Sequence, residues 1–150
     1  MRLKSILKRK GYTSIKLRSM ATKHLEIKAM INGVKGRFIL DTGASSSCVG
    51  FEGIDKFNLE VEDTDTKAAG AGAVDMDTKL SPKNSIKIKD WRYHSLPLVV
   101  FDLTHVNTAL KQQSEHPIDG ILGADILEKG KGIIDYKKKR LYLKKLVYKF

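Results

Sequence analysis

An all-β domain with one short helix near its carboxyl end is the expected architecture of this chain, on three grounds. Apolar and polar residues alternate through 24–40 and the alternation breaks at Asn32-Gly33, the pattern of a hairpin with a tight turn. The other apolar runs are short and bounded by turn-forming residues, as strands are. Only Ala124 to Lys129, closed by Gly130, has the length and stop signal of a helix.

In chain order, Leu25, Ile27, Ala29 and Ile31 alternate along the first strand of the hairpin, and Phe38-Ile39-Leu40 end the second. Ser85 to Trp91 alternates through Ile86 and Ile88, and Leu96 to Phe101 is an apolar run around Pro97, so two more strands follow. Gly132 to Tyr136 and Arg140 to Val147 read as strands separated by the polar turn Lys137-Lys138-Lys139. No repeat of solenoid period is present.

A chain of 150 residues with 41% hydrophobic side chains supports one cored domain. The longest apolar runs, such as Leu98-Val99-Val100-Phe101, fall far short of the roughly 20 residues of a membrane span. One Cys excludes an intrachain disulfide, and no apolar run of signal length follows the basic amino terminus. The expected setting is therefore cytoplasmic. The net charge of +11 is unevenly placed: residues 1–40 hold 11 Lys or Arg against Glu26 alone, and residues 126–150 hold 9 against Glu128 and Asp135. Residues 41–125 hold 8 against 14 acids. A phosphate-binding surface would have to be built from the two ends, because the middle repels phosphate. The sequence accordingly divides into a basic segment, 1–23, able to act as an interface strand, and a domain, 24–150.

The chemistry begins at Asp41-Thr42-Gly43-Ala44-Ser45, directly after the apolar strand ending at Leu40. Such a turn presents a carboxylate at a strand end, and Gly43 permits close backbone approach. Some eighty positions later, Ile118-Asp119-Gly120-Ile121-Leu122-Gly123 leads into the helix at Ala124. With this pair of motifs the sequence resembles the aspartic peptidases, and more closely their single-domain, retropepsin-like branch, from about Leu25 to Leu143. The resemblance implies a closed acid-protease barrel with one catalytic motif per chain, in which Ile121-Leu122-Gly123 backs the catalytic loop. It implies Asp41, Thr42 and Gly43 as catalytic residues, Thr42 buttressing the site by hydrogen bonds across a dimer. It further implies a flap over the cleft, for which residues 67–74 are the candidate, and substrate contacts from Ala44, Ala69, Gly70, Ala71, Gly72 and Ile121. Residues 50–66 and 102–117 match no part of the family pattern.

Carboxylate-driven hydrolysis needs one ionised group to take a proton from water and one protonated group to polarise the carbonyl. This chain supplies one Asp-Thr-Gly. The second carboxylate is expected from a second chain across a two-fold axis. Ala44 stands where the two-domain pepsin branch commonly has a hydroxyl donor; the expected pH profile is a bell on the acid side of neutrality, moving acid-ward in Ala44→Ser.

Competing readings are weaker. Asp41 as a bare turn former leaves the distant motif unexplained. Asp125 suits the first turn of a helix through the dipole, and Asp119 and Asp135 read as structural. Gly70-Ala71-Gly72 lacks the third Gly and following helix of a dinucleotide loop. Gly43-Ala44-Ser45-Ser46-Ser47 lacks the second Gly of a nucleophile elbow, and Cys48 reads as a small buried thiol. His24, His94, His105 and His116 have no paired metal-ligand spacing. Trp91 and Tyr93 share a strand face, which is more often packed than base-stacking. The sequence thus predicts a homodimeric aspartic endopeptidase acting on protein or peptide, with no cofactor, no metal, no membrane and no nucleic-acid partner. A catalytically silent dimerising or peptide-binding module of the same shape is the alternative, and a basic nucleic-acid-associated protein using residues 1–18 and 137–149 the third.

Overall fold

The computed structural model describes residues 2–63, 68–70 and 73–146. The elements run α1 (Leu3–Arg9), β1 (Tyr12–Lys16), β2 (Arg18–Ser19), β3 (Leu25–Ile31), β4 (Val34–Leu40), β5 (Cys48–Val49) and α2 (Glu52–Lys56). There follow β6 (Glu62–Asp63), β7 (Ala68–Gly70), β8 (Ala73–Met76), β9 (Lys79–Ile88), β10 (Trp91–Val100) and α3 (Thr104–Gln112). The chain ends in β11 (Gly120–Leu122), α4 (Ala124–Lys129), β12 (Ile133–Asp135) and β13 (Arg140–Lys144).

Asn32 and Gly33 both take positive φ, 49° and 82°, the conformation a two-residue hairpin turn requires. They fold β3 onto β4 from Ile31↔Val34 to Leu25↔Leu40. β4 then pairs in parallel with β11, β11 with β5, β5 with β10, and β10 with β9. β9 returns to β3 at Met30↔Lys87 and Ile31↔Ile86, closing a six-stranded barrel. Closure leaves no unpaired edge within the ring. β2 extends it beside β3 and β6 beside β9, while β1, β13 and β12 form a separate sheet in that order.

Ile27, Ile31, Phe38, Ile86, Ile88, Trp91, Leu98 and Leu122 fill the barrel and are essentially unexposed. Each such side chain contributes about 1.5–3 kcal/mol by leaving water. Ile15 and Leu17 join the same core, so this part of the basic segment 1–23 packs against the barrel, and β1 pairs with β13 from Tyr12↔Lys144 to Lys16↔Arg140. β13 is the middle strand of its sheet, leaving β1 and β12 as the open edges.

The architecture is the expected one, with three differences. Beyond α4, which begins and ends where its sequence signals stand, the chain forms α1, α2 and α3. In α3, Asp102 Oδ1 accepts from Thr104 N at 2.8 Å, and Leu110 packs into a cluster with Met20, Ile39 and Ile118. The strand expected to end at Trp91 turns earlier: Lys89 takes φ 54°, and Trp91 opens β10 opposite Ile88. Pro97 lies inside β10 where the register shifts between Leu96 and Leu98, a bulge that spares the ladder a missing N–H donor. Trp91 is buried and donates Nε1–H to Lys144 O at 3.0 Å, so its ring is closed to a nucleic-acid base.

A buried carboxylate ties the outer face of β3 to its neighbours. Glu26, 4% exposed, accepts from Arg37 and, at 2.9 Å, from Arg18 Nε. Arg18 also reaches Glu115 at 2.7 Å, and Glu115 accepts from Ala21 N at 2.8 Å. Burial raises the pKa of Glu26, but the hydrogen bonds from Arg18 and Arg37 outweigh it and hold the group below the ordinary carboxylate range.

Candidate active site

β4 delivers Asp41 to the end of the barrel. Asp41 N donates to Leu122 O at 2.9 Å, extending the β4–β11 ladder by one residue. The chain then turns. Gly43 N donates to Asp41 Oδ1 at 2.8 Å and Ala44 N to Asp41 O at 3.2 Å. Asp41, Thr42 and Gly43 are exposed and Ala44 is half-buried.

The loop is clamped from behind by the second motif. Ala124 N donates to Ala44 O at 2.7 Å, and a Cβ on Gly123 would stand 2.3 Å from that same oxygen. A Cβ on Gly120 would stand 2.0 Å from Cys48 O. Both positions need glycine because a neighbouring backbone occupies the space of a side chain. Ser47, fully buried, donates N–H and Oγ–H to Asp125 at 2.9 and 2.7 Å, while its Oγ accepts from Gly123 N at 3.0 Å. Asp125, read from sequence as a helix-start residue, does accept from Ile126 N, but it also anchors the loop. The sequence showed no signal for this second role, because Ser47 and Asp125 meet only once β11 has joined β4 and β5.

A cavity of about 230 Å³ holds Asp41 and Thr42, with Lys23, His24, Ile134 and Tyr136 among its other walls. Tyr136 is 62% exposed and Ile133, beside Ile134, is 36% exposed. None of these four wall residues was singled out in the sequence as a neighbour of Asp41. His24 Nδ1 lies 2.7 Å from Thr22 Oγ1. Ile121 is half-buried against the Met20 and Phe101 clusters, outside this cavity. Of the flap candidate, Ala69 and Gly70 belong to β7, which pairs with β8; Lys67, Ala71 and Gly72 lie outside the described residues.

The other acids are occupied elsewhere. Asp119 accepts from Arg37 N and from Lys56 Nζ, both at 2.9 Å, and Asp135 accepts from Lys138 N at 3.0 Å. Among the described residues there is no group of three or more His, Cys, Asp or Glu fit to hold a metal ion, and no helix is long and apolar enough to cross a membrane. Cys48 is 5% exposed and burial pushes its thiol up to about 12. Its alkylation at neutral pH is expected to be slow in the folded protein and fast after denaturation, because the thiolate is the reactive form; rapid labelling of the folded protein would show that the loop opens.

A closed six-stranded barrel presenting one Asp-Thr-Gly loop, backed by an apolar-apolar-Gly strand, defines the retropepsin-like class of fold. Residues 27–126 match the aspartyl protease family, and the chain belongs to it. Among solved structures it is similar to a retropepsin-like aspartic protease from Rickettsia conorii, with a TM-score of 0.58 and 23% identity over 89% of each chain. The EIAV protease complexed with the inhibitor HBY-793 gives a TM-score of 0.53 and 23% identity, covering 71% of this chain and 86% of that one. The retroviral protease-like domain of Ddi1 from Leishmania major gives 0.54 and 15% identity, covering 82% and 90%. These likenesses establish the fold. No curated protein sequence matches the chain.

Proposed function

We propose that the protein is a homodimeric aspartic endopeptidase in which Asp41 from each of two copies forms the catalytic dyad, acting on protein or peptide in a cytoplasmic setting. The supporting observation is one exposed carboxylate on a rigidly backed loop. Among the described residues, the only hydrogen bond to the Asp41 carboxylate comes from Gly43 N. Asp119 and Asp125 are engaged by other groups and neither lines the Asp41 cavity. The second acid then comes from the same residue of another copy, related by a two-fold axis.

With two Asp41 side chains adjacent, mutual repulsion keeps one proton on the pair. The ionised carboxylate takes a proton from water as it attacks the scissile carbonyl, and the protonated one donates to the carbonyl oxygen. Thr42, next to Asp41 and also exposed, would meet its symmetry mate across that axis. Tyr136 and Ile133 supply apolar surface beside the cavity that a second copy would cover, and β1 and β12 offer the open edges. Residues 140–142 of β13 pair on both sides, with β1 and with β12, so the free edges of this sheet are the outer edges of those two strands. Residues 147–150 lie outside the described residues.

Two copies each carrying +11 repel, and salt screens that repulsion over about 8 Å at physiological ionic strength. Sedimentation with a parallel peptide-cleavage assay is expected to show dimer fraction and activity rising together from low to moderate salt. A species monomeric at every concentration that still cleaves peptide would overturn the two-chain dyad.

A further inference from the structure

A second cavity, of about 590 Å³, opens on the outer face of the barrel where β4, β3 and β9 lie side by side. It lies at the start of β4, whereas Asp41 follows its end. Arg37, the lining residue of β4 nearest to Asp41, stands four positions before it, about 13 Å of extended chain. Its charged lining is Lys28, Lys35, Arg37, Lys56, Lys87 and Lys89 against one carboxylate, Asp119.

The existing partners do not neutralise this group. Asp119 is taken by Lys56 and by Arg37 N, and the Arg37 guanidinium turns to Glu26. Lys89 Nζ donates to Ser14 O at 2.8 Å. The ammonium groups of Lys28, Lys35 and Lys87 have no hydrogen-bond or ion-pair partner among the described residues. The register gathers them: Met30 has Lys35 opposite it on β4 and Lys87 opposite it on β9, and Lys28 stands opposite Arg37. Like charges on neighbouring strands are destabilising, and concave walls of low dielectric focus their field. A multivalent anion removes that cost.

The lining also selects among anions. Ammonium groups bind phosphate as point charges. No aromatic side chain lines the cavity, so nucleic-acid bases would have no stacking platform. Its volume falls in the range of roughly 300–1,000 Å³ that encloses a small ligand.

We propose that this cavity binds a small molecule bearing clustered phosphate groups, held by Lys28, Lys35 and Lys87. The test is calorimetric titration of the full chain with inorganic tripolyphosphate near physiological salt, with ATP as a second arm. Saturable binding of tripolyphosphate is expected. Equal affinity for ATP would make the phosphates sufficient, and tighter ATP binding would identify a nucleoside phosphate as the source. Removing all three lysines, as Lys28→Ala, Lys35→Ala and Lys87→Ala together, is expected to weaken binding about tenfold or more, the scale of losing charged hydrogen bonds. The same charge change made at the exposed Lys83, Lys111 and Lys138 is expected to weaken it about twofold at most. Should the triple variant fold poorly by circular dichroism, Lys35→Glu alone reads the same loss. Absence of saturable binding, equal losses in the two triple variants, or tighter binding of octaglutamate or duplex DNA through the same lysines would overturn the assignment.

Discussion

Asp41→Asn is expected to lower peptide-bond cleavage about a thousandfold or more while leaving the fold intact, since general acid–base groups contribute roughly 10²–10⁴ each and the dyad loses both roles at once. The side chain is exposed, and its one hydrogen bond among the described residues, from Gly43 N, goes to an oxygen that Asn also possesses. The melting temperature should therefore move by only about 2 °C, the scale of a neutral surface substitution. Cleavage profiling of a mixed peptide library, wild type against variant, measures the first quantity and calorimetry the second. Undiminished cleavage in a well-folded Asp41→Asn would remove Asp41 from the chemistry. No cleavage by a well-folded, dimeric wild type would favour the silent module.

Gly123→Ala is expected to be the most damaging single methyl group near the site. The new Cβ would stand 2.3 Å from Ala44 O and 3.1 Å from Ala44 Cβ, and neither neighbour is a flexible side-chain end. Relief requires the loop to separate from α4, at the expense of the Ala124 N to Ala44 O bond and the Gly123 N to Ser47 Oγ bond. A loss of about 3 kcal/mol or more follows from backbone strain combined with two broken hydrogen bonds. The melting temperature should fall by roughly 6–12 °C. Activity measured well below the transition should fall as well, because an ångström of displacement at Asp41 misaligns the dyad. A variant as stable and as active as wild type would show that the second motif does not hold the loop.

The hairpin of β3 and β4 and the helix α4 were legible because each is specified locally, by alternation, by Asn32-Gly33 and by Gly130. The Asp41 turn was legible for the same reason. What required the folded chain is what pairs across long separations. The bond from Ser47 to Asp125 spans 78 residues, and ring closure joins Met30 to Lys87. Lys23 and Tyr136 reach Asp41 from opposite ends of the sequence through two different sheets. α3 had a usable signal in Asp102, which accepts from Thr104 N just before the helix, and in the spacing Leu103, Val106, Leu110, but its polar flanks read as loop. At Lys89 the alternation ran on through the turn because lysine is not a turn-type residue, although its backbone takes positive φ.

The buried Glu26 sets a lower bound on the conditions in which any acid-side chemistry can run. Its folded pKa lies below its unfolded one, so its stabilising contribution is complete above the unfolded carboxylate range and disappears as pH falls through the folded value. Glu115, held low by hydrogen bonds from Arg18 and Ala21 N, follows the same sign. Once Glu26 takes a proton, Arg18 and Arg37 lose their shared counter-charge on a chain already strongly cationic. The proposed dyad, expected to favour mild acid, would thus operate in a scaffold weakened by strong acid. Circular dichroism is expected to show folded signal lost as pH falls below the carboxylate range and complete on the alkaline limb of the activity profile. Glu26→Gln would then raise the pH at which folded signal is lost and leave the alkaline limb in place.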